Sequence, residues 1–163
     1  MLFAGLFAAI VVYPVLHEFG HILIAFLLGV KIEDVNLFSE LSVVCMADNA
    51  EPIKVALIGY GGIIIPVVFE YLISFKWFVF RYISFSIKVI NIIAIVNAYV
   101  SLALFVIGRP SLNNDITVIM SAYDNGLQMT VIVLIISLYF SIISFRDNNI
   151  MNDFYYFVQG NGA

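Results

Sequence analysis

Residues 2–29 read LFAGLFAAIVVYPVLHEFGHILIAFLLG, an apolar run whose only charged or imidazole side chains are His17, Glu18 and His21. At about 1.5 Å per residue the run is long enough, as a helix, to cross a hydrocarbon layer roughly 30 Å thick. Ionisable groups inside such a span are costly and mark function. His17 and His21 are also the only two histidines in the chain. Their four-residue spacing puts both imidazoles on one helical face, one turn apart. With Glu18 they form an HExxH arrangement, in which two imidazoles hold zinc and the glutamate acts as general base on a water.

The rest of the chain agrees with a membrane setting. Of 163 residues, 63% are hydrophobic and 11% charged, and the mean hydropathy is +1.08. That balance excludes an ordinary soluble domain. The net charge of −4 comes without a basic run, which argues against nucleic acid as a partner. A single cysteine, Cys45, excludes an intramolecular disulfide framework. The N-terminus has no basic region of the kind that opens a cleavable signal peptide.

Four stretches are long enough to span: about 2–28, 53–75, 88–107 and 127–145. Gly29 and Lys31 close the first, and the "GRP" at 108–110 closes the third, since Pro110 cannot continue a helix. Pro14, one turn before His17, is expected to kink the first span. Residues 30–52 alternate partially and read as one or two short strands near the membrane surface. The link KWFVFRYISFSIK, 76–88, mixes cations with aromatics and suits a short helix lying among headgroups. The fold class is therefore an all-α membrane protein of about four transmembrane helices, with a short β-hairpin-like segment after the first. A core over 1–145 is followed by a polar tail, 146–163. Basic residues divide four against three between the two faces, so their count selects no orientation.

Depth arithmetic relates the spans. His21 and His17 lie about 12 and 18 Å below the Gly29 end of their helix. The second span enters from the same face, which sets "GYGG", 59–62, roughly 9–14 Å deep. The third leaves there, which sets Asn97 about 15 Å deep. Gly59, Gly61 and Gly62 allow close helix approach, and Asn97 needs a polar partner or a substrate contact. Glu70 enters about 25 Å from that face, where it can snorkel beside Lys76, and Asn91 lies too deep to join the histidines. A catalytic zinc site wants a third protein ligand, and without a third histidine a carboxylate is expected. Asp115 follows the third span on the correct side, in a segment apolar enough to re-enter the bundle. Asp124, in "DNG", reads more naturally as a turn residue.

The stretch LHEFGHILIAFLLGVKI, 16–32, closely resembles the metal-binding helix of the site-2 proteases, a family of intramembrane zinc metalloproteases. In that family surface strands, a Gly-rich span and a later Asn-Pro-Asp-Gly-type motif follow. The spacing of Pro110 to Asp115 matches the family's proline-to-aspartate spacing. The resemblance implies zinc at His17, His21 and Asp115, with Glu18 as base. Ile116 stands where the family has glycine, the asparagine before the proline is missing, and "GYGG" replaces a Gly-Pro-x-x-Asn form. With these departures the resemblance implies a short, divergent member, expected to lack a PDZ domain.

The expected activity is peptide-bond hydrolysis in or near transmembrane segments of membrane-anchored proteins, in a prokaryotic cell membrane. Its partners are a membrane-spanning protein substrate and the lipid bilayer. Two alternatives remain: a non-catalytic metal-binding membrane protein (sensor, transporter or inactive homologue), and a membrane zincin with a glutamate third ligand, for which Glu70 is the candidate and its depth, too far from the histidines, the argument against it.

Overall fold

The computed structural model describes residues 2–36, 42–45, 50–72, 78–111 and 114–147. The expectations for Lys76, Trp77 and the tail beyond residue 147 concern residues outside this set. Helix α1 (Leu2–Phe7) passes through a π-helical turn (Ala8–Val12) into α2 (Tyr13–Leu27). Strands β1 (Ile32–Asn36) and β2 (Ser42–Cys45) pair antiparallel, with an irregularity between Ile32 and Asp34. Helices α3 (Pro52–Leu72), α4 (Phe78–Val106), α5 (Asp115–Ala122) and α6 (Gly126–Asp147) complete the described elements. Among the described residues, four helices are long and apolar enough to cross a membrane: Gly5–Leu27, Pro52–Leu72, Ile83–Val106 and Gly126–Arg146. The expected helical membrane fold with a short hairpin after the first span is what the chain adopts.

Local chemistry sets the helix ends. Gly29 and Gly108 take φ of 66° and 76°, a region that an L side chain avoids. In both cases the next amide bonds back five residues, Val30 to Ala25 at 2.9 Å and Arg109 to Leu104 at 2.9 Å. This is a Schellman closure, which satisfies carbonyls that a helix end would leave open. Pro52 occupies the first position of α3, where its missing N–H costs nothing. Pro14 directly follows a π-helical turn, in which the Tyr13 amide donates to the Ala8 carbonyl. Such wide turns accommodate a break in the regular ladder.

Helix α3 lies centrally and packs on α2, α4, α5 and α6. The core joins Ala56, Tyr60 and Val67 of α3 to Ile95, Ala98 and Leu102 of α4, Ile116 and Ile119 of α5 and Leu134 of α6. The buried Tyr60 hydroxyl pairs with Thr130 Oγ1 at 2.9 Å, so its polar end is satisfied inside an apolar layer. Gly20 and Gly61 bring α2 and α3 backbone to backbone: a Cβ on either would overlap the other's carbonyl group. Gly59 faces α5, where a Cβ would stand 2.7 Å from Ile119 Cγ1.

Two sequence expectations are corrected. Residues 78–88 are not a separate interfacial helix but the first turns of α4, which runs unbroken for 29 residues. Lys88 does not sit among headgroups: it is fully buried, donating to the Ser144 carbonyl at 2.8 Å and Ser144 Oγ at 2.7 Å. Glu70 does not snorkel outward either. It is buried and accepts from Asn91 Nδ2 at 2.6 Å. No proline or glycine interrupts α4, and polar groups with partners across the bundle have no need to reach water.

The glycine contact predicts a graded response. Gly61→Ala drives a methyl into Gly20's backbone, which has no rotamer to yield, and should destabilise by about 2 kcal/mol or more. Gly5→Ala meets only the movable Ser86 Oγ at 3.2 Å and should cost under about 1 kcal/mol. Thermal unfolding in detergent compares the two.

Candidate metal centre

The HExxH helix meets α3 where α3 has no side chains in the way. The two helices run antiparallel, and His17 and His21 face carbonyls that are also four residues apart. His17 Nδ1 is 2.8 Å from the Gly62 carbonyl oxygen, and His21 Nδ1 is 2.8 Å from that of Ile58. A carbonyl only accepts, so each Nδ1 carries the hydrogen and donates it. Each neutral ring then presents a bare Nε2. The two Nε2 atoms stand 3.2 Å apart. Asp115 Oδ2 lies 3.1 Å from the first and 3.5 Å from the second.

Asp115 arrives from α5, the short helix that follows the third span back into the bundle. It occupies the first helical position, behind the N-cap Asn114. Asn114 Oδ1 accepts from the Ile116 amide at 2.9 Å, and Asn114 Nδ2 donates to Ser101 Oγ at 3.0 Å. The cap thus ties the start of α5 both to itself and to α4. Burial raises the pKa of the Asp115 carboxyl, but the two histidines, whenever they are protonated, hold it well below the usual carboxylate range through hydrogen bonds and charge. It stands as a carboxylate.

Three acceptor atoms therefore converge with no hydrogen between them when the rings are neutral. Left so they repel, and a cation is the natural complement. The set fits one closely: the ligand atoms of a tetrahedral zinc with bonds of about 2.05 Å are separated by about 3.3 Å. The three atoms lie within 4.8 Å of one another, and their individual separations bracket that value. Gly62 keeps the space open, since a Cβ there would stand 2.6 Å from His21 Nε2 and 2.7 Å from His17 Cε1. Tyr13, one turn before His17, stacks on its ring at 6.4 Å between centroids. Glu18 is buried beside this cluster, near enough for its charge to act on His21.

The other candidates fall elsewhere. Asp124 is exposed in the turn between α5 and α6. Glu70 is outside the His17–His21–Asp115 group and engaged with Asn91. Asn97 faces outward from α4 and does not enter the site, because the buried stripe of that helix passes through Asn91, Ile95, Ala98 and Leu102. Of the glycines, Gly62 borders the ligand atoms, while Gly59 and Gly61 serve helix contacts. Sequence reasoning missed Asn114 and the two carbonyls. "NND" directly before an apolar helical run is an N-cap signal, whereas a backbone acceptor leaves no residue type to read.

Membrane-length helices gathered round two histidines and an aspartate place a candidate metal-ligand set inside a helical bundle. A family model described as Peptidase M50B-like matches residues 5–160, and the chain belongs to that family, the site-2 proteases. No curated protein and no solved structure matches it.

The cap yields a test of how Asp115 is held. Asn114→Ala should cost about 1 kcal/mol of stability and weaken divalent-metal affinity about 10-fold, while Asp115→Asn should remove most of that affinity. Metal titration alongside thermal unfolding separates the two effects.

Proposed function

We propose that the protein is an intramembrane zinc endopeptidase that hydrolyses peptide bonds in or near the transmembrane segments of membrane-anchored proteins. The observation that carries this reading is the convergence of His17 Nε2, His21 Nε2 and Asp115 Oδ2 with a glutamate next in sequence to the first ligand. Membership of a peptidase family supports it.

His17, His21 and Asp115 would hold the ion, leaving a fourth position for water or substrate. Zinc, when bound, supplies Lewis-acid polarisation of a peptide carbonyl and acidification of a water molecule. Glu18 takes the proton of that water as it attacks and passes it to the departing amine. The Gly62 and Ile58 carbonyls keep both imidazoles in the tautomer that leaves Nε2 bare. A substrate helix has to unwind before its carbonyls are accessible, and strand addition to the β1–β2 hairpin is the route by which an extended segment would be presented. Glu18 favours an enzyme over a purely structural metal site, which has no use for a base.

Zinc content and cleavage of a model transmembrane substrate test the reading. Glu18→Gln should keep zinc while cleavage falls by about 10²–10⁴-fold. Asp115→Asn should lose both, and Glu70→Gln should keep zinc. Normal cleavage by Glu18→Gln would overturn the mechanism.

Acidity provides a further expectation. Only neutral imidazole binds metal, so zinc affinity should be full in neutral solution and fall as the pH drops from neutral into the acid range. Zinc retention after equilibration across that range reads this directly.

A further inference from the structure

Pro66 lies inside α3 and is fully buried. Having no N–H, it returns no hydrogen bond to the carbonyl four residues earlier. That carbonyl belongs to Gly62, the acceptor of His17 Nδ1 at 2.8 Å. The helix thus leaves one carbonyl without its ladder partner at the point where the neighbouring helix needs an acceptor. A bare carbonyl can also tilt away from the helix axis, as oxygens do beside a proline. Gly62 lacks a side chain that would stand between that oxygen and the ring.

The other side of the break is tied as well. The carbonyl of Pro66 accepts from Asn91 Nδ2 at 3.2 Å, and the same Nδ2 lies 2.6 Å from Glu70 Oε2. A residue on α4 therefore braces α3 one turn beyond the proline. The second histidine offers an internal control. Its acceptor, Ile58, has Gly62 as ladder partner, which carries an N–H, so His21 shares a carbonyl that is already bonded.

We propose that Pro66 is a positioning residue for the metal centre: by leaving the Gly62 carbonyl free, it supplies the acceptor that locks His17 with Nδ1 protonated and Nε2 turned toward His21 and Asp115. The inference rests on the metal-centre reading of these residues. Its consequence is asymmetric. An N–H restored at position 66 makes His17 share the Gly62 carbonyl, as His21 shares that of Ile58, which weakens the bond to His17 and leaves His21 untouched.

The test uses the full chain in detergent, with zinc as the probe. Pro66→Val restores the N–H at nearly constant volume, and Pro66→Ala restores it while opening space. Both should bind zinc about 10-fold more weakly than wild type, the lower end of the range for removing a ligand's hydrogen-bond partner. Unfolding of the metal-free protein should be unchanged or shifted to higher temperature, because a helix-interior proline has been removed. In ¹⁵N spectra of metal-free protein at neutral pH, wild-type His17 should show the Nδ1–H tautomer, with the variants moving His17 toward a mixture and leaving His21 as it was. Zinc affinity within twofold of wild type in Pro66→Val would overturn the proposal. So would a loss confined to Pro66→Ala, which would reveal packing instead. Should neither variant fold, the wild-type spectrum decides: a His17 protonated on Nε2 overturns the proposal. A wild type with no zinc affinity would instead defeat the metal-centre reading, and the tautomer spectra would still decide whether Pro66 governs His17.

Discussion

Two helices cross where neither has a side chain, Gly20 on α2 against Gly61 on α3, and the site depends on the separation this sets. Imidazole Nδ1 atoms reach across to backbone oxygens at 2.8 Å, which is feasible only if the two backbones nearly touch. With a leucine at either glycine the helices would stand several ångströms apart. Both rings would then lose their acceptors, and the bare Nε2 atoms would lose their fixed direction. Helix packing and ligand chemistry are one constraint here. The absence of Cβ atoms at 20, 61 and 62 does for the His17–His21–Asp115 cluster what small residues do for helix association in membranes generally.

Away from the centre, a second polar group joins α3, α4 and α6. Lys88, Glu70, Asn91 and Ser144 are all buried. Unpaired, any of them would be expensive in this setting. Here each has at least one partner on another helix: Lys88 bonds to Ser144, and Asn91 bonds to Glu70 and the Pro66 carbonyl. The group fixes the relative rotation of three helices whose apolar faces are too uniform to specify one. Apolar packing against lipid-like neighbours discriminates weakly between rotations, whereas hydrogen bonds between particular atoms do not tolerate a shifted register. Asn91 connects this group to the proline break in α3, and so to the carbonyl that holds His17.

The chain made some of this plain before any coordinates. Apolar runs of membrane length, the HExxH spacing and the Gly29 and Gly108–Pro110 stops were readable, because each is a local pattern with a local physical cause. The re-entry of the Asp115 segment was readable from its apolarity and from which face it followed. Depth arithmetic placed 59–62 beside the histidines, since rise per residue is nearly invariant in helices. It failed for Asn97, because depth fixes height along a helix and says nothing of rotation about it. The outward turn expected of Glu70 and Lys88 failed for a related reason, although Glu70 does lie outside the histidine group, as its depth required. A charged side chain near a span's end can turn outward to headgroups or inward to a partner, and only the neighbouring helices decide which.

The sequence by itself determined the spanning helices, the pairing of two imidazoles with a glutamate on one of them, and the supply of an aspartate from the right side. All of these follow from composition and periodicity along a single element. Tertiary structure alone decided that Asp115, and not Asp124, meets the histidines, that backbone carbonyls of α3 set their tautomers, and that Asn97 faces away. Those outcomes depend on the relative rotation and distance of separate helices, which arise from contacts between residues far apart in the chain.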